Sequence, residues 1–257
     1  MIQSASTPEL QTEFLRRIAH KPYFESTLGT HLHLFGSHPA SGWAFYLLPG
    51  SAVLELRGGS AVLCGALPGG EAGEDACEEL TGFLRFLHAD TLRTEHPLTL
   101  PGWQPAVPLT LWELPKGRAL PLPPAPPAEL VPDKAPSMLP VSRLVFAEAD
   151  EFYSAACTAL AHGVGTCRAL LHNGRPVCTV GCYEQSDTES YMAAGVTDPA
   201  WQGRGLARYL IVGLANELTA ERAVRFACFP ALCGFYAQLG FLQIGKIQHY
   251  TTDWNTT

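Results

Sequence analysis

The sequence lacks any uninterrupted apolar run of the roughly eighteen residues that a membrane-spanning helix needs, so no membrane partner is expected. Its N-terminus is polar and partly acidic, without the basic-then-apolar order of a secretory leader, and the expectation is a soluble cytoplasmic protein. Basic charge is also scarce. Lys and Arg number 17 against 24 Asp and Glu, a net charge of −7, which argues against a nucleic-acid surface. The 8 cysteines include no Cys-x-x-Cys pair, and several stand in apolar runs, so buried thiols are expected rather than disulfides or zinc ligands. Cys178 and Cys182 lie four apart on an expected strand, on the same face, where two core thiols are the simpler reading. His31, His33 and His38 stand in a Gly- and Pro-punctuated stretch without a nearby carboxylate or cysteine to complete a ligand set, so no metal is expected.

What is present is ample core material, 47% hydrophobic in 257 residues, and one long punctuation mark. From Pro115 to Pro140 proline recurs too often for a helix or an inner strand, which marks a linker. The expected division is an N-terminal α+β domain over residues 1–114, a Pro-rich linker over 115–140 and a second domain over 141–257. In the first part, Thr7-Pro8 starts a helix with an apolar stripe at Leu10, Phe14 and Ile18. Strands follow at Trp43 to Leu48, Ala52 to Leu56 and Ala61 to Ala66, then an acidic-fronted helix leading to Leu80, Phe83, Leu84 and Leu87. In the second part, Val141 to Phe146 has the look of a first strand and Asp150 to Ala161 of a helix. Arg168 to His172 and Val177 to Tyr183 are joined by a turn at Asn173-Gly174, and Glu189 to Val196 makes a third antiparallel strand.

The most informative stretch runs from Met192 to Leu218. A small, apolar strand ends at Asp198-Pro199, because proline donates nothing to a ladder and restricts the residue before it. From Leu206 the positions Leu206, Leu210, Ile211, Leu214 and Leu218 recur at helical spacing. Between them stands Gln202-Gly203-Arg204-Gly205-Leu206-Ala207, whose glycines bare the first helical N–H groups. Such a helix start suits a phosphate or pyrophosphate. No Lys-Ser/Thr follows Gly205, against a P-loop, and Arg208 stands where a dinucleotide fold needs its third glycine.

Val196, Pro199 and Gln202-x-x-Gly205-x-Ala207 resemble motif A of the GNAT superfamily of acyl-CoA-dependent N-acyltransferases, Gln/Arg-x-x-Gly-x-Gly/Ala. Phe235-Tyr236-Ala237-Gln238-Leu239-Gly240-Phe241 resembles its motif B, a helix ending in Leu-Gly-Phe. The resemblance covers roughly Val141 to the C-terminus and implies a mixed α+β fold, an acetyl-CoA cosubstrate, no metal, and a small-molecule or peptide amine as acceptor. It implies that Gly203 to Ala207 meet the pyrophosphate, with Gln202 and Arg204 as side-chain helpers. Gly195, Val196 and Thr197 would pair with the pantetheine and polarise the thioester. Tyr236 takes the position of the acid that protonates the departing thiolate, its bland alternative being a core aromatic beside Phe235. Glu189 and Glu184 are candidates for the base, each open to the simpler reading of a solvated strand-end carboxylate; His172 and His162 titrate in the right range without support from position. Phe229 stands where motif B commonly has a capping Asn, which keeps a second reading alive, a catalytically weak acyl-CoA-binding or regulatory module. The hairpin over Leu54 to Gly65 resembles the one over Leu170 to Gly181 in having strand, glycine turn, strand and closing glycine. The first half is either a degenerate GNAT-like copy or an unrelated hairpin. Acceptor identity, acyl length and oligomeric state are not encoded in any of these features.

Overall fold

A computed structural model describes residues 1–252, which form two compact units. Unit 1 comprises Met1–Leu111, Ala227–Cys233 and the chain from Ile244; unit 2 comprises Trp112–Phe226 and Gly234–Gln243. The expected division at 114/115 and 140/141 is continuous in sequence, and these units are not.

Unit 1 contains β1 (Gln3–Ser4), α1 (Pro8–Ile18), α2 (Phe24–Phe35), β2 (Trp43–Leu47), β3 (Val53–Arg57), β4 (Ser60–Cys64), α3 (Glu71–Phe86), β5 (Thr91–Thr94) and β6 (Gln104–Pro105). Thr7 caps α1, its hydroxyl accepting from the Leu10 N–H at 3.4 Å, with Pro8 at the first helical position. Of the Gly- and Pro-punctuated stretch, the part with His31 and His33 belongs to the regular helix α2. Phe24, Leu28 and Leu32 lie at four-residue steps and are buried, and Gly29 sits inside the helix without breaking it, with room for a Cβ at ordinary contact distance, 3.7 Å, from Ile18. A carboxylate does reach His31: Glu55 of β3 lies 2.9 Å from Nδ1. Among the described residues no cluster of three or more metal-ligating side chains occurs. Strands β2, β3 and β4 are antiparallel neighbours, α3 crosses over, and β5 returns parallel to β4. Leu54, Leu63, Leu80, Leu84 and Leu92 fill the space between this sheet and α3.

Unit 2 draws on β7 (Leu109–Leu114), β8 (Val131–Asp133), α4 (Met138–Val145), α5 (Asp150–Ala161), β9 (Thr166–His172), β10 (Arg175–Gln185), β11 (Glu189–Thr197), α6 (Leu206–Leu218), β12 (Ala223–Cys228) and α7 (Cys233–Leu239). The proline-rich stretch is less bare than expected. Pro132 sits in β8, a strand at the end of the sheet order, where a missing donor is tolerated. The strand expected at Val141 to Phe146 is helix α4: Met138, Val141 and Ser142 bury one helical face, and Pro140 falls in the first turn, where its N–H has no role. The Asn173-Gly174 turn has φ of 49° and 75°, both left-handed, as a two-residue hairpin requires. Strands β9, β10 and β11 are antiparallel, α6 crosses over, and β12 returns parallel to β11.

Both units thus repeat two helices, three antiparallel strands, a crossover helix and a parallel strand. Topology matches β2, β3 and β4 with β9, β10 and β11, so the hairpin likeness seen in sequence is one strand out of step; glycine turns serve any hairpin and carry no register. The strand beside β5 is β13 (Leu242–Thr251), from the end of the chain, and the strand beside β12 is β7, from its first half.

Candidate active site

The site is built on β11. Toward β10, the pairs Gly181↔Ala193 and Thr179↔Val196 leave one extra residue on β11, a β-bulge, and Ala194 within it has φ of 54°. An alanine in that region carries roughly 1–2 kcal/mol of strain, which the surrounding ladder must impose. On its other edge, β11 pairs with β12 only from Glu189↔Ala223 to Tyr191↔Arg225. Beyond that rung, from the Met192 carbonyl to the Thr197 N–H, no ladder pair among the described residues satisfies that edge, so the N–H and C=O groups that face it are available to a ligand. Gly195 is exposed, and Val196 and Thr197 are partly so.

The turn after β11 is self-contained. Asp198 accepts from the Ala200 N–H at 2.9 Å, and the Gln202 side-chain amide donates to the Thr197 carbonyl at 3.1 Å. The Arg204 guanidinium lies 4.5 Å over the Trp201 ring, which also meets His172 at 4.7 Å. Gly203 and Gly205 both have φ of 76°, a conformation that favours glycine, and a Cβ on either would meet nothing within 4 Å. Gly205 is the N-cap of α6 and offers no side-chain cap. The Tyr209 N–H to Gly205 carbonyl bond, 3.1 Å, opens the helix, so the Leu206, Ala207 and Arg208 amides precede it. Leu206 itself is 2% exposed and anchors the first turn. Open space thus stands before bare amides at the positive end of a 13-residue helix, an anion seat.

Tyr236 lies on α7, partly buried among Phe226 (4.2 Å between ring centres), Phe235 (5.1 Å), Phe241 (6.1 Å) and Trp112 (6.5 Å). The aromatic frame fixes the ring, so the core reading and the acid reading describe the same side chain. Glu189 is corrected as a base: its side chain is wholly buried and ion-paired with Arg225, where no acceptor amine reaches it. Glu184 is partly buried near the end of β10, opposite Tyr191. Cys178 and Cys182 are buried thiols; burial pushes the first up to about 11 and the second up to about 12. The Cys178 sulfur lies 3.2 Å from the Thr197 hydroxyl.

Unit 1 offers a contrast at the matching place. Its β4–β5 ladder runs through Leu63↔Thr94, the Glu95 N–H then donates to the Leu63 carbonyl at 3.2 Å, and the Glu95 carboxylate accepts from the Gly65 N–H at 3.0 Å. The register of β3 and β4 has no bulge. A cavity of about 630 Å³ lies beside the start of α3, lined by Leu63, Leu67 and Leu98 among others; Glu74 lines it and no Lys or Arg does.

A mixed α+β protein with this repeated topology, a bulged strand open on one edge and a glycine-led helix start has the architecture of acyl-CoA-dependent N-acyltransferases. Residues 137–241 match the model of the acetyltransferase (GNAT) family, and this stretch is a GNAT domain. Across the whole length the fold is that of tandem GNAT proteins, which makes unit 1 GNAT-like as well. The tandem GNAT protein from the clavulanic acid biosynthesis pathway is 16% identical, with a TM-score of 0.68 over 98% of this chain and 98% of that one. A GCN5-related N-acetyltransferase from Sphaerobacter thermophilus is 13% identical, with a TM-score of 0.64 over 100% and 98%. A Drosophila protein is 12% identical, with a TM-score of 0.67 over 99% of both chains. A search of curated proteins finds no match. No helix among the described residues is long and apolar enough to cross a membrane.

Proposed function

We propose that unit 2 binds acetyl-CoA and transfers its acetyl group to a primary amine by direct attack in a ternary complex. The observation that carries this is the pairing of two open features, the uncapped start of α6 and the free edge of β11 after Tyr191. The pyrophosphate sits on the amides of Gly203 to Ala207, and the pantetheine adds to β11 as a short strand would. In that pose an amide in Gly195 to Thr197 faces the thioester oxygen and stabilises the oxyanion. The neutral amine attacks the carbonyl carbon, the carbon–sulfur bond breaks, and the Tyr236 hydroxyl gives its proton to the leaving thiolate. The attacking nitrogen loses its extra proton to water, with Glu184 as the remaining candidate carboxylate, and Tyr236 is reprotonated from solvent. The raised Cys178 and Cys182 thiols are poor nucleophiles, which favours direct transfer over an acyl-cysteine. All eight cysteines are unpaired, which fits a reducing cytoplasm. The acceptor is a small molecule or a peptide, and the acidic balance disfavours nucleic acid.

One feature supports a second reading, an acyl-CoA-binding module with weak catalysis. Phe229, 55% exposed, precedes the short turn Pro230–Leu232 and provides no side-chain cap where motif B commonly has Asn. Turnover of acetyl-CoA over a panel of primary amines separates the two. Chromatography is the appropriate detection, because Cys77, Cys157 and Cys233 are partly exposed and would consume thiol reagents. Tyr236→Phe is expected to lower kcat by about 10²–10⁴ while retaining acetyl-CoA affinity. Tight binding without turnover on any amine would favour the second reading, and absence of binding would overturn both.

A further inference from the structure

Arg225 stands at the last rung of the β11–β12 ladder, opposite Tyr191. One Nη of its guanidinium donates to Glu189 of β11, and Nε and the other Nη donate to Glu113 of β7 at 2.8 and 2.7 Å. Strands β11, β12 and β7 are successive in the sheet order, so one cation ties three strands at one level. Glu189 is 0% exposed, and the Arg225 and Glu113 side chains are 17% and 19% exposed. Buried ion pairs of this kind add little net stability over apolar packing, and one attested use is to specify an arrangement. What stands to be specified here is where the strands part. Two parallel strands with free edges gain hydrogen bonds by zipping onward, and a cofactor arm can enter only if they do not.

Unit 1 holds the zipped alternative in the same register. There Ser60↔Thr91 matches Glu189↔Ala223, and Val62↔Arg93 matches Tyr191↔Arg225. The bonds below agree: Thr91 N–H donates to the Gly59 carbonyl as Ala223 N–H donates to Thr188. Arg93 is thus the counterpart of Arg225, but Ser60 occupies the place of Glu189. Without that carboxylate, the ladder continues through Leu63↔Thr94 and on to Glu95.

We infer that Glu189, Arg225 and Glu113 form a pin that stops the β11–β12 ladder after Tyr191 and keeps the acyl-CoA cleft open. These are positioning residues, and the inference rests on the acyl-CoA reading of unit 2. Glu189→Ser recreates the unit 1 situation. It is expected to raise the acyl-CoA KM at least about 10-fold while leaving the amine KM and the kcat at saturating acyl-CoA within about 2-fold. Hydrogen exchange of the Ala194, Gly195 and Ala227 amides, the last being the counterpart of Glu95, should become slower, because the strands close. A merely structural pair would give faster exchange and a lower Tm with the acyl-CoA KM unchanged, and that result would overturn the inference. Should Glu189→Ser not fold, Glu113→Gln, at the more exposed arm of the pin, is read by the same two assays with the same expected signs. Acetyl-CoA titration of the wild type separates the failures. No binding there removes the acyl-CoA reading, while the exchange result still reports whether the pin holds the strands apart.

Discussion

Replacing Gly205 with alanine separates backbone strain from ligand exclusion. Gly205 has φ of 76° and no atom within 4 Å of a built Cβ, so alanine meets strain and no clash. The strain amounts to roughly 1–2 kcal/mol, and the lower unfolded-state entropy of alanine offsets about 0.4–1 kcal/mol of it. The net loss, about 1 kcal/mol, corresponds to a Tm lower by roughly 2–4 °C in a chain of this size. Gly163, in the turn after α5, has φ of 71° and equally open surroundings, so Gly163→Ala should lose stability to the same extent. Only at Gly205 does the added methyl stand before the first amides of α6. Displacing one charge-assisted hydrogen bond to a pyrophosphate oxygen costs about 2 kcal/mol, or about 30-fold in Kd. Calorimetric titration of acetyl-CoA into the three proteins, beside thermal melts, gives both numbers. The expected outcome is matched melting points for the two variants with weakened binding confined to Gly205→Ala. Equal Kd values in all three proteins would refute the placement of the cofactor.

Other consequences are open to measurement. Gly70 leaves the start of α3 as uncapped as that of α6, but Glu71 and Glu74 in its first turn repel a pyrophosphate and the zipped end of β4 and β5 offers no free edge, so calorimetry should find one acetyl-CoA per chain; a stoichiometry of two would contradict this. Glu95 titrates lower than an ordinary glutamate: burial raises it, but the Lys21 ammonium at 2.7 Å and the Gly65 amide outweigh that and hold it charged. Its contribution is therefore present above the ordinary value of 4.5 and lost as pH falls through the folded-state value. The Tm difference between wild type and Glu95→Gln should accordingly narrow as pH falls from about 6 to about 3, and a constant difference would sink this account. Leu206→Ala, at a position 2% exposed in the first turn of α6, should destabilise by about 2–5 kcal/mol on denaturant unfolding, and a loss under about 1 kcal/mol would show that the turn is not anchored there.

The glycine-led start of α6 and the Asn173-Gly174 hairpin were legible because they depend on backbone freedom, which the residue type itself reveals. The same logic fails at α2, where Gly29 lies inside a regular helix and marks no turn. It fails again at Ala194, which adopts φ of 54° without being glycine. Nothing local marks that alanine; its conformation follows from the mismatch of register between β10 and β11. Strand partners are likewise a tertiary choice. Neither the pairing of β13 with β5 nor the place of β7 beside β12 has a signal in the local pattern, since β7 is apolar enough to suit any inner position and β13 is too mixed to mark a partner.

The buried carboxylate at Glu189 shows where reasoning from residue type stops. In sequence, a glutamate at the start of the central strand is compatible with a base, a solvated surface group or half of an ion pair, and only the position of Arg225 decides among them. Once that pair is known, the comparison within the chain becomes informative, because Arg93 holds the matching rung in unit 1 while Ser60 stands in the place of Glu189. One half of the molecule then serves as an internal control for the other. The same topology gives an open edge where Glu189 and Arg225 meet and a closed edge where Ser60 stands, so the fold alone does not decide where the two parallel strands part.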